Sequence, residues 1–155
     1  MGSVTRYLAS AAAGAALIVM GVSAGHAADE AENIIKYRQN VMKSIGGHIA
    51  NIAAVAKGQV TYIENMSAHA RALADMTKLL PPLFPEGTDT GKTNALPAIW
   101  TDRAKFDAAM KANQAAAAEM VDAAATNDLA TIQAALGKLG KSCGGCHKPF
   151  RKKKE

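Results

Sequence analysis

Two thiols and an imidazole stand together in the run Cys143-Gly144-Gly145-Cys146-His147, and no other feature limits the fold as strongly. Cysteines three positions apart share one side of a helical turn, and the histidine one position later projects from nearly the same side. This is the Cys-x-x-Cys-His spacing of covalent haem c attachment: two thioethers to the porphyrin and the histidine as an axial ligand to iron. The rest of the chain must then enclose one planar, largely apolar group. Only eight residues follow His147, so the enclosing side chains, and any second protein ligand to iron, are expected from upstream.

Other uses of a cysteine pair fit less well. A thiol–disulfide motif normally sits between a strand and a helix, and no run here alternates as a half-buried strand does. A zinc site needs a second pair of ligands, whereas the chain has two cysteines in all. That count also leaves no disulfide framework to build.

The two ends carry different signals. Arg6 precedes an apolar run, Ala11 to Val22, that is too short to span a membrane comfortably. Gly25-His26-Ala27 offers small residues where a signal peptidase reads. Residues 1–27 are therefore expected to be a cleaved signal peptide. Residues 28–155 are then the haem domain, exported to a bacterial periplasm with no further membrane span. A net charge of +5 is too small to indicate a nucleic-acid partner. The bases gather at Lys141, Lys148, Arg151, Lys152, Lys153 and Lys154. Such a cluster beside a redox centre can steer an acidic redox partner; it can equally be a solvated tail. No paired carboxylates or nucleophile–base pair can be placed together, so no enzymatic activity is expected.

Helical periodicity runs through the mature chain. Ile34, Val41/Met42, Ile45, Ile49, Ile52 and Val55/Ala56 recur every three or four residues, predicting a helix from about Ala31 to Lys57 that stops at Gly58. A second is expected from about Val60 to Leu80, ended by Pro81 and Pro82. A connection from Pro81 to about Leu96 is long for a bundle. The third helix is expected to begin near Pro97 and to carry Ile99, Arg103, Phe106, Met110, Ala117 and Val121 on one face. Thr126-Asn127-Asp128 offers a turn and an N-cap for the fourth, which presents Leu129, Ile132, Leu136, Leu139, Cys143 and Cys146/His147. Four amphipathic helices predict an all-α, antiparallel up-down-up-down four-helix bundle with haem held between helices.

Met42, Met66, Met76, Met110, Met120, His48 and His69 are the upstream candidates for a second iron ligand. A methionine on an apolar face is more often a gap-filler. Met42 is favoured because Arg38 lies one turn earlier on the same stripe, where a charge is costly without a partner. A haem propionate can be that partner through a bidentate contact; alternatively, Arg38 snorkels from the edge of the stripe.

Two segments then resemble a known family. Cys143-Gly144-Gly145-Cys146-His147-Lys148-Pro149-Phe150-Arg151 resembles the haem-attachment segment of the class II cytochromes c, the cytochrome c prime family. Arg38-Gln39-Asn40-Val41-Met42-Lys43-Ser44-Ile45-Gly46-Gly47 resembles its first helix, and Gly58, Leu83-Phe84-Pro85 and Ile99-Trp100 are similar too. The resemblance implies the bundle, one haem c on Cys143 and Cys146, His147 as proximal ligand and Arg38 near the haem, with Arg151 either pairing likewise with a propionate or belonging to the tail. Family members include monomers and homodimers. In the high-spin members an aromatic or aliphatic residue covers an open, five-coordinate iron that takes gases such as NO or CO. In the cytochrome c-556 type a methionine binds there. Met42 at that place implies the c-556 type: a His147/Met42 six-coordinate electron carrier.

Overall fold

The computed structural model describes residues 24–153, with side-chain surroundings from Glu30 onward. The expected signal peptide falls outside the described residues except for its last four positions. Five α-helices follow one another: α1 Ala24–Ala56, α2 Met66–Lys78, α3 Ala98–Thr101, α4 Arg103–Ala125 and α5 Leu129–Phe150. Single 3-10 turns at Ile63–Asn65 and Pro81–Leu83 precede and follow α2. The only extended pairing among the described residues is an isolated antiparallel bridge between Ala95 and Arg151.

The four long helices form the expected bundle. α1 packs on α2, α2 on α4 and α4 on α5, while α5 closes the ring against α1 with the fewest contacts. The core is built mainly from the apolar stripes: Ile45, Ile52 and Val55 of α1, Met66, Ala70 and Leu73 of α2, Phe106, Met110 and Ala117 of α4, and Ile132 and Leu139 of α5, with Met120 buried where Val121 was expected. Alanines at the α4 contacts let the helices approach closely, and their small burial is compensated by numbers. Side chains also reach across to carbonyls left open near helix ends: Gln133 to Ala56 O (2.6 Å), Gln114 to Thr77 O (3.1 Å) and Ser67 to Ala124 O (3.3 Å).

Helix boundaries depart from the periodic reading in three places. α1 begins at Ala24, seven residues before the expected start near Ala31. α2 begins at Met66, six residues after the expected Val60, because Gly58 takes a left-handed φ of +69° and the chain runs irregularly to Tyr62. The third helix is divided at Asp102, whose φ/ψ of −127°/56° is not helical. Ile99 is buried on the short α3, so the apolar stripe continues across a break that periodicity alone does not see. α5 starts where expected. The Asp128 carboxylate accepts the Thr131 backbone N–H at 2.9 Å, a side-chain N-cap.

Candidate haem site

α5 carries the thiols and the imidazole on one continuous helix that extends to Phe150. Cys143, Cys146 and His147 are all half-buried and line one crevice, partly open to solvent. Its other walls are Met42 and Ile45 from α1, Leu80 and Phe84 from the connection after α2, and Phe106, Met110 and Asn113 from α4. The crevice is walled by both α1 and α5, the neighbouring long helices of the bundle that touch least. Phe150 anchors the end of α5: its ring meets Phe106 edge-on at 5.1 Å, and Phe106 meets Phe84 likewise at 4.8 Å. The backbone beyond the motif is tied back, with Leu96 N–H donating to Phe150 O and Lys152 N–H to Asn94 O.

These surroundings suit a covalently held haem. Nearly all the lining is apolar, as a porphyrin face requires. Burial pushes both thiols above their ordinary pKa, and the neighbouring Cys143 adds to this for Cys146. Both are therefore protonated thiols near neutral pH. Burial, then the charge of Arg151, lowers the pKa of His147. Its imidazole is thus neutral, the form that binds a metal.

Of the seven upstream candidates for a second ligand, two line the crevice: Met42 and Met110. Met66 and Met120 are fully buried elsewhere in the core, Met76 packs at its margin, and His48 and His69 meet each other. Arg38 is buried on the α1 stripe, as expected. It is 4% exposed, and its fork is filled by the connection between α2 and α3. One terminal nitrogen donates to Leu83 O and Thr88 Oγ1, both at 3.0 Å; the other donates to Thr88 O at 3.0 Å and Thr93 Oγ1 at 2.9 Å. The guanidinium also lies 4.6 Å from the centroid of Phe84. Loop acceptors and an aromatic face thus meet its charge from the protein side. Arg151 is exposed and lies outside the crevice lining, at the C-cap of α5.

Asn113 is a site residue that the sequence reading passed over. Its amide donates to Ser142 Oγ at 3.0 Å and to Cys143 Sγ at 3.5 Å. The signal was present: Asn113 is a polar residue on the α4 stripe, between Met110 and Ala117.

Residues 33–151 match the family model of cytochrome C′. The chain is 39% identical over 118 residues to the cytochrome c′ of Rhodospirillum rubrum, covering 76% of this chain and 80% of that one. It is 37% identical to a cytochrome c-556 of Agrobacterium tumefaciens, covering 77% and 98%. Among solved structures, a nitric oxide complex of a leucine-to-alanine variant of the Alcaligenes xylosoxidans cytochrome c prime superposes with a TM-score of 0.75. It is 34% identical, with 80% of this chain and 97% of that one covered. These matches correct the expected His147/Met42 six-coordinate electron carrier. They favour the open-faced, gas-binding type that the sequence reading ranked second. The physical reason lies in the crevice, where Met42 is one of two thioethers on an apolar wall and packs against the core as a gap-filler does. The family's cofactor is a covalently attached haem c, and Cys143 and Cys146 fit that attachment. With the bundle, the C-terminal attachment helix and a match running from residue 33 to 151, the chain belongs to the cytochrome c′ family.

Proposed function

We propose that this chain is a gas-binding haem protein, with iron held by His147 alone and an open distal face for a diatomic such as NO or CO. The observation that carries this reading is the nitric oxide complex of a relative that shares the fold over 80% of this chain. When bound, the haem supplies an iron centre able to take a diatomic ligand. Cys143 and Cys146, three positions apart on one side of α5, would tether it and so fix its rotation. His147 holds its neutral imidazole toward the metal on the same helix face. Met42 and Ile45 of α1, with Phe84 and Phe106, supply an apolar wall that keeps the crevice poor in water and offers no hydrogen bond to polar competitors. Arg38 positions that wall indirectly: it fastens the connection carrying Phe84 onto α1.

In this reading the chain binds rather than converts its ligand. Residues 1–27 are the export signal, residues 28–155 the mature domain, and the periplasm the place of action. Among the described residues no helix is long and apolar enough to cross a membrane. Arg151, whose charge reaches His147, and Lys148 and Lys152 beside it in the sequence give a basic surface that suits an acidic redox partner returning the iron to its ferrous state.

Absorption spectra of the purified haem protein test the assignment. The ferrous form is expected to be high-spin, and carbon monoxide or nitric oxide should shift its Soret band at stoichiometric concentration. A low-spin ferrous spectrum that excess carbon monoxide leaves unchanged would overturn it.

A further inference from the structure

Apart from the attachment motif itself, Asn113 of α4 is the only polar side chain among the described residues that lines the haem crevice. Its amide gives one N–H to Ser142 Oγ at 3.0 Å and the other to Cys143 Sγ at 3.5 Å. Chemistry fixes this orientation. The Ser142 hydroxyl donates its own hydrogen to Leu139 O at 2.8 Å. Toward Asn113 it can only accept, so Nδ2 rather than Oδ1 must face α5. The bond to Ser142 does the ordering. It holds the amide in one rotamer, and the second N–H then reaches the sulfur, a weak acceptor, with no further loss of side-chain freedom. Cys146 has no such donor among the described residues.

We propose that Asn113 is a positioning residue for the cofactor: it holds the sulfur of the Cys143 thioether against α4 and so ties one edge of the haem to a second helix. Attachment leaves this bond available. When a thiol adds across a vinyl group, sulfur bonds to one carbon and the thiol hydrogen ends on the other. Both sulfur lone pairs remain, and either can accept an N–H. The other two attachments, Cys146 and His147, belong to α5 alone. His147 lies one turn beyond Cys143 on the same face of that helix, so a sulfur fixed from α4 also limits how far the imidazole can swing. α4 is the helix against which α5 packs most extensively, which makes it the firmest support the bundle offers. The two arms are therefore unequal: the Cys143 arm is clamped between two helices, and the Cys146 arm follows α5.

The test uses the haem-loaded protein. Resonance Raman spectra with Soret excitation show the C–S stretching bands of the two thioethers, and Cys146→Ala, which keeps the Cys143 thioether alone, identifies its band. Asn113→Leu and Asn113→Asp should each shift and broaden the Cys143 band and leave the Cys146 band in place. The aspartate variant nearly preserves the side chain's shape but offers the sulfur no N–H, so it separates hydrogen bonding from packing. Bands unmoved in both variants would overturn the proposal. So would equal movement of both bands, which marks a general loosening of α5, or a shift in Asn113→Leu alone, which marks a lost packing contact. A crystal structure of the wild-type haem protein needs no variant to fold. It should place Asn113 Nδ2 within hydrogen-bond reach of the Cys143 sulfur, and an amide turned away from that sulfur sinks the assignment.

Discussion

At the scale of single residues, Met42 and Arg38 carry most of the interpretation. Met42 lines the crevice without being singled out by it, because Met110 is there too. Met42→Ala should therefore leave the ferrous spectrum high-spin and raise the affinity for carbon monoxide, since it opens space in the crevice rather than removing a ligand. A conversion from low-spin to high-spin on that substitution would show that the thioether had been bound. Arg38 is a fastening between helix and loop. Arg38→Leu removes four hydrogen bonds and leaves Leu83 O, Thr88 O and two threonine hydroxyls facing an apolar side chain. The expected loss is roughly 3 kcal/mol, read from the urea midpoint. Arg38→Lys should recover little of it, because an ammonium on one stem cannot fill a fork that spans three residues. The sequence marked Arg38 as a charge on a buried stripe, and that reading holds. Its partner was not legible, because Thr88 and Thr93 lie 50 and 55 positions away in a connection with no periodicity to read.

Among the elements, α5 was the most legible and the helix before it the least. Asp128 caps α5, and hydrogen bonds from the Thr131 side chain and then the Thr131 backbone hold its carboxyl below the ordinary value of 3.8. A depressed folded pKa means that the cap's contribution is complete above about pH 4 and is lost as the pH falls through the lower folded value. Asp128→Asn should accordingly be less stable than wild type at neutral pH, where the carboxylate also opposes the positive helix end. The difference in thermal midpoint should shrink toward zero as the pH approaches 2; a difference that stays constant with pH would contradict the assignment. Asp128 could be read in advance because an N-cap is a local, short-range device. The break at Asp102 could not. The stripe runs through it from Ile99 to Phe106, and what divides the helix is the local backbone bend, with Trp100 Nε1–H donating to Pro85 O and Arg103 to Phe84 O on either side.

Across the whole molecule, the weakest seam of the bundle is also its functional one. Of the neighbouring long helices α1 and α5 touch least, and both wall the crevice, so the cofactor is expected to supply contacts that helices supply elsewhere. Cys143→Ala with Cys146→Ala should give a chain without haem staining on a denaturing gel and with a lower thermal midpoint than the haem protein. Its hydrogen exchange should be fastest around Met42–Ile45 and Cys143–His147, and slower in the α2–α4 contact, which contributes little to the crevice. Equal protection at the two places would show that the crevice is rigid without its cofactor. The sequence by itself determined the bundle, the attachment chemistry and its placement on the last helix, because helical period, capping and the Cys-x-x-Cys-His spacing all act within a few residues of one another. Only the tertiary structure decided what shares the crevice with the motif. It put Met110 and Asn113 beside Met42, turned Arg38 toward the loop and paired His48 with His69. Those choices depend on how helices distant in sequence meet, which no local pattern encodes.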